Sequence, residues 1–227
     1  PSPFSDDPVP VMMLLNVGES MNVADIQPSR LERAHLKIAD FAKARDGLPL
    51  GLVAYAGSSH LVLPPTRDTG IVADMALEIS PEIMPRPGSD LAGALDLAAG
   101  KLAETGGVIV VVLDTVVQDQ TAELEAYRKK TQIPVEILAI AGEGSTELGS
   151  IKKAASALGA EVTLMSADNR DIDTLIRRSA NMPVAVAMQG EGARWQEAGW
   201  WLVPVLLILM LTQFRREESS SGKEVAP

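Results

Sequence analysis

With 227 residues, 46% of them hydrophobic, the chain has material for one domain of ordinary size and an appendage, while two full domains would crowd it. Its 30 acidic residues against 20 basic ones leave a formal net charge of -10, which argues against a nucleic-acid surface, because phosphate binding needs clustered Lys and Arg. No cysteine is present, so disulfides, thiolate metal sites and cysteine nucleophiles are excluded as well.

Residues 1–9 are crowded with Pro, acidic and hydroxyl side chains that resist regular structure, so they read as a linker. The chain begins at Pro1 without a Met, which reads as a segment removed or not supplied, whether a signal peptide, an upstream membrane helix or a chosen boundary. The stretch Val11 to Met21 then organises the chain. Its unbroken apolar run leaves no polar face for a helix and predicts a strand buried on both faces, opening at Asn16 into a loop. In open α/β sheets the loops past the carboxyl ends of central strands form the binding crevice, so Asn16, Gly18, Glu19 and Ser20 are the first candidates for function.

Ser29 followed by Glu32 is a capping box, and Leu31, Ala34, Ile38, Phe41 and Ala42 give the helix behind it one core face, ended by Pro49. Short strands are expected over Leu50–Tyr55 and His60–Leu63, joined as a hairpin through Ala56-Gly57-Ser58-Ser59. A weaker helix over Asp68–Ile79 leads into a proline-rich loop, Ser80–Gly88. Ser89 or Asp90 can cap the next helix, whose Leu91, Ala94, Leu95, Ala98 and Leu102 form a stripe ending at Gly106-Gly107. Val108–Leu113 is the second wholly apolar run, with Asp114 at its carboxyl end.

Helices over Thr121–Lys130, Thr146–Leu158 and Asp168–Ser179 alternate with strands over Pro134–Ile140 and Glu161–Leu164. This alternation predicts an α/β domain over 10–180, a doubly wound, mostly parallel sheet flanked by helices. Beyond it the pattern changes. Residues 181–197 read as a juxtamembrane linker, 198–214 as a transmembrane helix and 215–227 as a cytoplasmic tail. Crossing a bilayer takes roughly 17 to 25 apolar residues, so the span is short but sufficient. Trp195, Trp200 and Trp201 on one flank suit an interfacial belt, and Arg215 and Arg216 on the other follow the positive-inside bias, which puts the globular domain outside the cytoplasm.

The rim residues now take on a pattern. Asn16-Val17-Gly18-Glu19-Ser20, then Ser89, then Asp114 at the tip of a buried strand resembles the metal-ion-dependent adhesion site of von Willebrand factor type A domains. In that family D-x-S-x-S, a later Thr or Ser and a later Asp converge on one divalent cation. Pro28 to Ala34, Gly51 to Gly57, Met84-Pro85 with Gly88 to Leu91, and the closing segment from Trp195 to Arg216 are similar to the membrane-anchored Bat (aerotolerance operon) proteins. The resemblance implies a Rossmann-like, non-enzymatic adhesion or scaffold domain in a bacterial inner membrane, working with a MoxR-type AAA+ ATPase system.

It also implies a metal site at Asn16, Gly18, Ser20, Ser89 and Asp114, and a protein-binding rim that includes Glu19, Met21, Asp90, Thr115 and Asp119. Asn16 stands where the family has Asp, and Gly18 where it has Ser. A hard cation prefers anionic oxygen, so no cofactor is expected unless Mg²⁺ or Mn²⁺ enters this degenerate site. In an extended loop Glu19 would point away from its neighbours' site. Val116 and Val117 bring apolar surface near the crevice, and we read them as packing.

The alternative is a Mg-dependent phosphatase-like or hydrolase domain using the same rim. Gly18-Glu19-Ser20-Met21-Asn22 begins like a nucleophile elbow and lacks its final Gly, and both His35 and His60 precede Asp114, the wrong order for that fold. No phosphate-binding G-x-x-x-x-G-K-[ST] or dinucleotide G-x-G-x-x-G follows the first strand.

Overall fold

Two strands, apolar but for Asn16 at the tip of the first, lie side by side at the middle of one sheet, and the other described elements flank them. The computed structural model describes residues 8–117, 120–142 and 144–182. The strands are β1 (Val11–Asn16), β2 (Leu50–Tyr55), β3 (Ser59–Thr66), β4 (Val108–Leu113), β5 (Val135–Ala139) and β6 (Glu161–Leu164). The helices are α1 (Arg30–Ala44), α2 (Thr69–Leu77), α3 (Leu91–Leu102), α4 (Thr121–Lys130), α5 (Glu147–Leu158) and α6 (Arg170–Asn181). Most of the expected linker 1–9, Asp119, the juxtamembrane linker from residue 183, the membrane segment 198–214 and the tail 215–227 lie outside the described residues. Among the described residues no helix is long and apolar enough to cross a membrane.

The strand order is β3-β2-β1-β4-β5-β6, and every neighbouring pair is parallel except β2 and β3. Every residue of β1 and β4 is buried, because side chains that alternate across a sheet meet helices on both faces. Met12, Leu14, Ile109 and Val111 join a core built with Leu95 of α3, Leu124 of α4 and Ile151 of α5. Val11, Met13, Val110 and Val112 join the other core with Ile38 and Phe41 of α1, Val72 of α2 and Leu175 of α6. The chain winds outward from β1 to β3, returns to β4 and winds outward again. The order therefore reverses between β1 and β4, where such sheets open a crevice at their carboxyl ends.

The elements follow the expected ones with instructive shifts. Ser29 caps α1 by accepting from the Glu32 N–H (3.2 Å), the first half of the box, while the Glu32 carboxylate accepts from the Ser29 hydroxyl (3.2 Å) rather than from its backbone N–H. β3 runs on through Pro64 and Pro65, past the expected Leu63, which an edge strand tolerates because one side of its backbone needs no partner. α2 starts at Thr69 because Asp68 caps it through the Ile71 N–H (3.3 Å), and α6 starts at Arg170, whose N–H meets the Asp168 carboxylate (3.3 Å). Stretches read as loops contain the short 3-10 turns Glu19–Asn22 and Pro81–Ile83.

A buried ion pair joins α1 to α6. Lys37 Nζ donates to Asp171 Oδ1 (2.9 Å) and to the Asp168 carbonyl (2.6 Å), while Asp171 Oδ2 accepts from the Ser166 N–H (3.0 Å). Both side chains are almost wholly enclosed. Removing one member of a buried pair leaves the other charge uncompensated, so Lys37→Ala is expected to destabilise the domain by about 3–5 kcal/mol, read from the midpoint of urea unfolding.

Candidate functional site

The parallel register of β1 and β4 pairs Leu15 with Val112, so the residues that leave the two strands, Asn16 and Asp114, emerge at the same level of the same edge. They touch. Asn16 Nδ2 donates to Asp114 Oδ1 (2.9 Å), and Asn16 Oδ1 accepts from the Gly18 N–H (3.0 Å), which curls the loop back over the strand end. Asp114 is completely buried, and a carboxylate in that position must find a counter-charge.

Arg30 supplies it. From the first position of α1 its Nη1 donates to Asp114 Oδ2 (2.9 Å), its Nε and Nη2 grip both oxygens of Asp25 (2.8 and 2.6 Å), and Nη2 also reaches Glu147 Oε1 (3.3 Å). The guanidinium side chain is 6% exposed. The hydrogen bonds it donates to Asp25 first, then to Asp114 and Glu147, push its pKa still higher, and in return the Arg30 hydrogen bond holds Asp25 below the usual carboxylate range. Tyr55, opposite Asn16 on β2, is fully enclosed, and burial followed by the nearby Asp114 charge pushes its phenol well up, so it stays protonated.

The third loop is seated from the side. The Gly57 N–H donates to the Arg86 carbonyl (3.0 Å) and the Asp90 N–H to the Ala56 carbonyl (2.6 Å), so residues 86–90 lie directly on the β2–β3 turn. Only glycine fits at 57, since a Cβ there would be driven into the Pro87 carbonyl. Gln120 clamps the same loop to α4, donating to the Ser89 carbonyl and accepting from the Leu91 N–H (3.2 Å). A side chain at Gly18 would begin 3.3 Å from both Asn16 Oδ1 and the Gly88 carbonyl and 3.9 Å from Ser20 Oγ. Asn16, Gly18, Ser20 and Asp114 thus gather at one point, with the Ser89 segment against them. Ser89 Oγ is enclosed there with no hydrogen-bond partner among the described residues.

The expected rim divides. Glu19 is exposed, Thr115 is half-buried beside Ser150 (3.4 Å), and Asp90 rather than Ser89 caps α3, through the Gly93 N–H (2.9 Å). Met21 is not a surface contact: the 3-10 turn folds it inward until it is fully buried among the side chains of α1. Of the valine pair, Val116 packs into the core while Val117 is 46% exposed, so the packing expectation holds for one of them. Sequence reasoning missed Arg30, Asp25, Glu147 and Gln120 as the residues that hold this rim together. The single available signal was Arg30 itself, a cation placed at a helix N-terminus where the dipole disfavours it.

The chemistry of the donors does not suit a divalent ion. Both oxygens of Asp114 accept N–H bonds, Asn16 turns its nitrogen rather than its oxygen toward them, and Gly18 has no side chain. Mg²⁺ or Mn²⁺ requires several oxygens directed at one point. Among the described residues no group of three or more His, Asp or Glu side chains is arranged to hold a metal ion. The histidines lie elsewhere: His60 Nε2 pairs with Ser58 Oγ (2.9 Å), and His35 is buried on α1, its pKa lowered by that burial.

Residues 11–116 match the family model of the von Willebrand factor type A domain. Among solved structures, an aerotolerance-related membrane protein of Bacteroides fragilis superposes with a TM-score of 0.65 at 23% identity, covering 76% of this chain and 98% of that one. The hypothetical protein BatB of Bacteroides thetaiotaomicron gives 0.65 at 22% identity, covering 77% and 100%. The von Willebrand factor domain of the pilus-tip protein Mfa5 of Porphyromonas gingivalis gives 0.59 at 12% identity, covering 78% and 97%. A UPF0353 protein of Mycolicibacterium paratuberculosis is 37% identical over 57 residues, 25% of this chain and only 17% of that relative's length. The fold is therefore the α/β fold of von Willebrand factor A domains, with a mostly parallel sheet, and it resembles the Bat proteins.

Arg30→Met would strand Asp114 as a buried, half-paired charge, and the expected loss is about 3–5 kcal/mol in urea unfolding. Adding Asp114→Asn should restore part of it, with a coupling of about 0.5–3 kcal/mol in the double-mutant cycle.

Proposed function

We propose that this von Willebrand factor A-like chain is a membrane-anchored protein-interaction module whose partner docks on the rim at the carboxyl ends of the strands, with no catalytic step of its own. The observation that supports this reading most is the hydrogen-bond network that orders that rim. The loops that leave β1 and β4 are tied together by Asn16, Asp114 and Arg30, and Gln120 holds the Ser89 segment that also bonds the β2–β3 turn, while Glu19 and Val117 remain exposed. A surface ordered in advance loses little conformational entropy when a partner binds. Beside it a crevice lined by Gly18, Glu19, Asn22, Glu82 and Arg86 offers room for a partner side chain.

In this reading the module extends over 10–180, a helix over 198–214 anchors it in a bacterial inner membrane, the globular part faces away from the cytoplasm and the tail 215–227 lies inside. The partner belongs to a MoxR-type AAA+ ATPase system, as the likeness to Bat proteins suggests. A hydrolase reading lacks a base for Ser20, because His35 and His60 are held on α1 and β3.

Two measurements test the proposal. Glu19→Arg with Val117→Asp changes exposed positions only, so the full-length variant should fold like the wild type yet lose its detergent-extracted partner by about tenfold or more, whereas Lys153→Glu on α5 should retain it. Equal recovery with the rim variant would rule out the rim. In spheroplasts, added protease should digest the globular part while leaving it intact in sealed inverted vesicles, and the opposite pattern would reverse the orientation.

A further inference from the structure

We propose that Arg30 is the resident cation of this rim: its guanidinium holds Asp114 in the place where an adhesion-type site holds a divalent ion, so the rim is assembled without metal. The claim concerns the same rim as the functional reading but does not involve its partner, and metal binding alone decides it.

The position of Arg30 needs a cause. A positive charge on the first residue of a helix opposes the helix dipole, and a guanidinium that is 6% exposed has given up most of its water. Asp25, Asp114 and Glu147 answer both costs. They surround the guanidinium with charge-assisted hydrogen bonds of 2.6 to 3.3 Å, two of them a bidentate grip on Asp25. Arginine keeps its charge at every accessible pH, so this counter-ion is permanent.

A metal ion could reach Asp114 only by expelling that side chain and turning the Asn16 amide around. It would then find a single buried carboxylate, the neutral oxygens of Asn16, Ser20 and Ser89, and no ligand from Gly18. The two departures from the adhesion pattern, Asn16 and Gly18, thus act in the same sense as Arg30. One turns an N–H donor toward Asp114, and the other removes an oxygen from beside it.

The experiment is titration calorimetry of the full-length protein with Mg²⁺ and Mn²⁺ to millimolar concentration, together with thermal melts in EDTA and in excess Mg²⁺. The wild type should give no saturable heat and one unchanged Tm. Asn16→Asp with Gly18→Ser, which restores both missing oxygens but keeps Arg30, should bind weakly or not at all. Adding Arg30→Gln should then produce Mn²⁺ binding about tenfold or more tighter than the double variant. Saturable binding by the wild type, a double variant that binds as tightly as the triple, or a folded triple variant that stays silent would each overturn the proposal. Should the triple variant fail to fold, the wild type and the double variant still decide, because each retains Arg30: silence from both supports the claim, and tight binding by either defeats it.

Discussion

A carboxylate with no exposure at the break in strand order is the constraint on which the upper edge of this molecule depends. Asp114 leaves β4 where the sheet changes direction, and burial there is tolerable only with both oxygens occupied. Meeting that demand brings Asn16 across from β1 and Arg30 from the start of α1, and through Arg30 it gathers Asp25 and the first turn of α5. Segments far apart in the chain are thereby registered on one another. The ion pair is weak evidence for net stability, since desolvation consumes much of its attraction, but it selects one arrangement of the loops.

Beneath that edge lies a platform that leaves little freedom. β1 and β4 are sealed by helices on both faces, and their outer neighbours carry the same two cores toward the flanks. Gly57 shows how closely the loops are fitted to it, because the β2–β3 turn and the Pro87 carbonyl approach to a distance that excludes even a methyl group. On the flank, Pro64 and Pro65 in β3 withhold backbone N–H groups that another strand would need, so the edge of the sheet is a poor template for further pairing.

The frame was legible in the sequence because it is written in local patterns. Apolar runs at Val11–Leu15 and Val108–Leu113, the Ser29–Glu32 box and the stripes of α1 and α3 each reveal an element within a few turns. They also placed Asn16 and Asp114 on one edge. What could not be read is pairing at a distance: Arg30 lies 84 residues from Asp114 and 117 from Glu147, and no periodicity links them. Met21 misled because a loop residue was assumed to face outward, whereas a 3-10 turn rotates it into the core. The adjacent Val116 and Val117 part company for the simple reason that consecutive side chains leave the backbone in different directions.

The link between Lys37 and Asp171 bears on how the fold carries load. The chain leaves the described fold through α6, so tension applied beyond Asn181 acts first on that helix. α6 lies against β5 and β6, yet its buried anchor belongs to α1, the same helix that presents Arg30 to Asp114. A pull on α6 is therefore shared between the far flank of the sheet and the middle of α1, whose first residue holds Asp114. Arg30 and Lys37 thus couple two distant ion pairs through about two turns of a single helix.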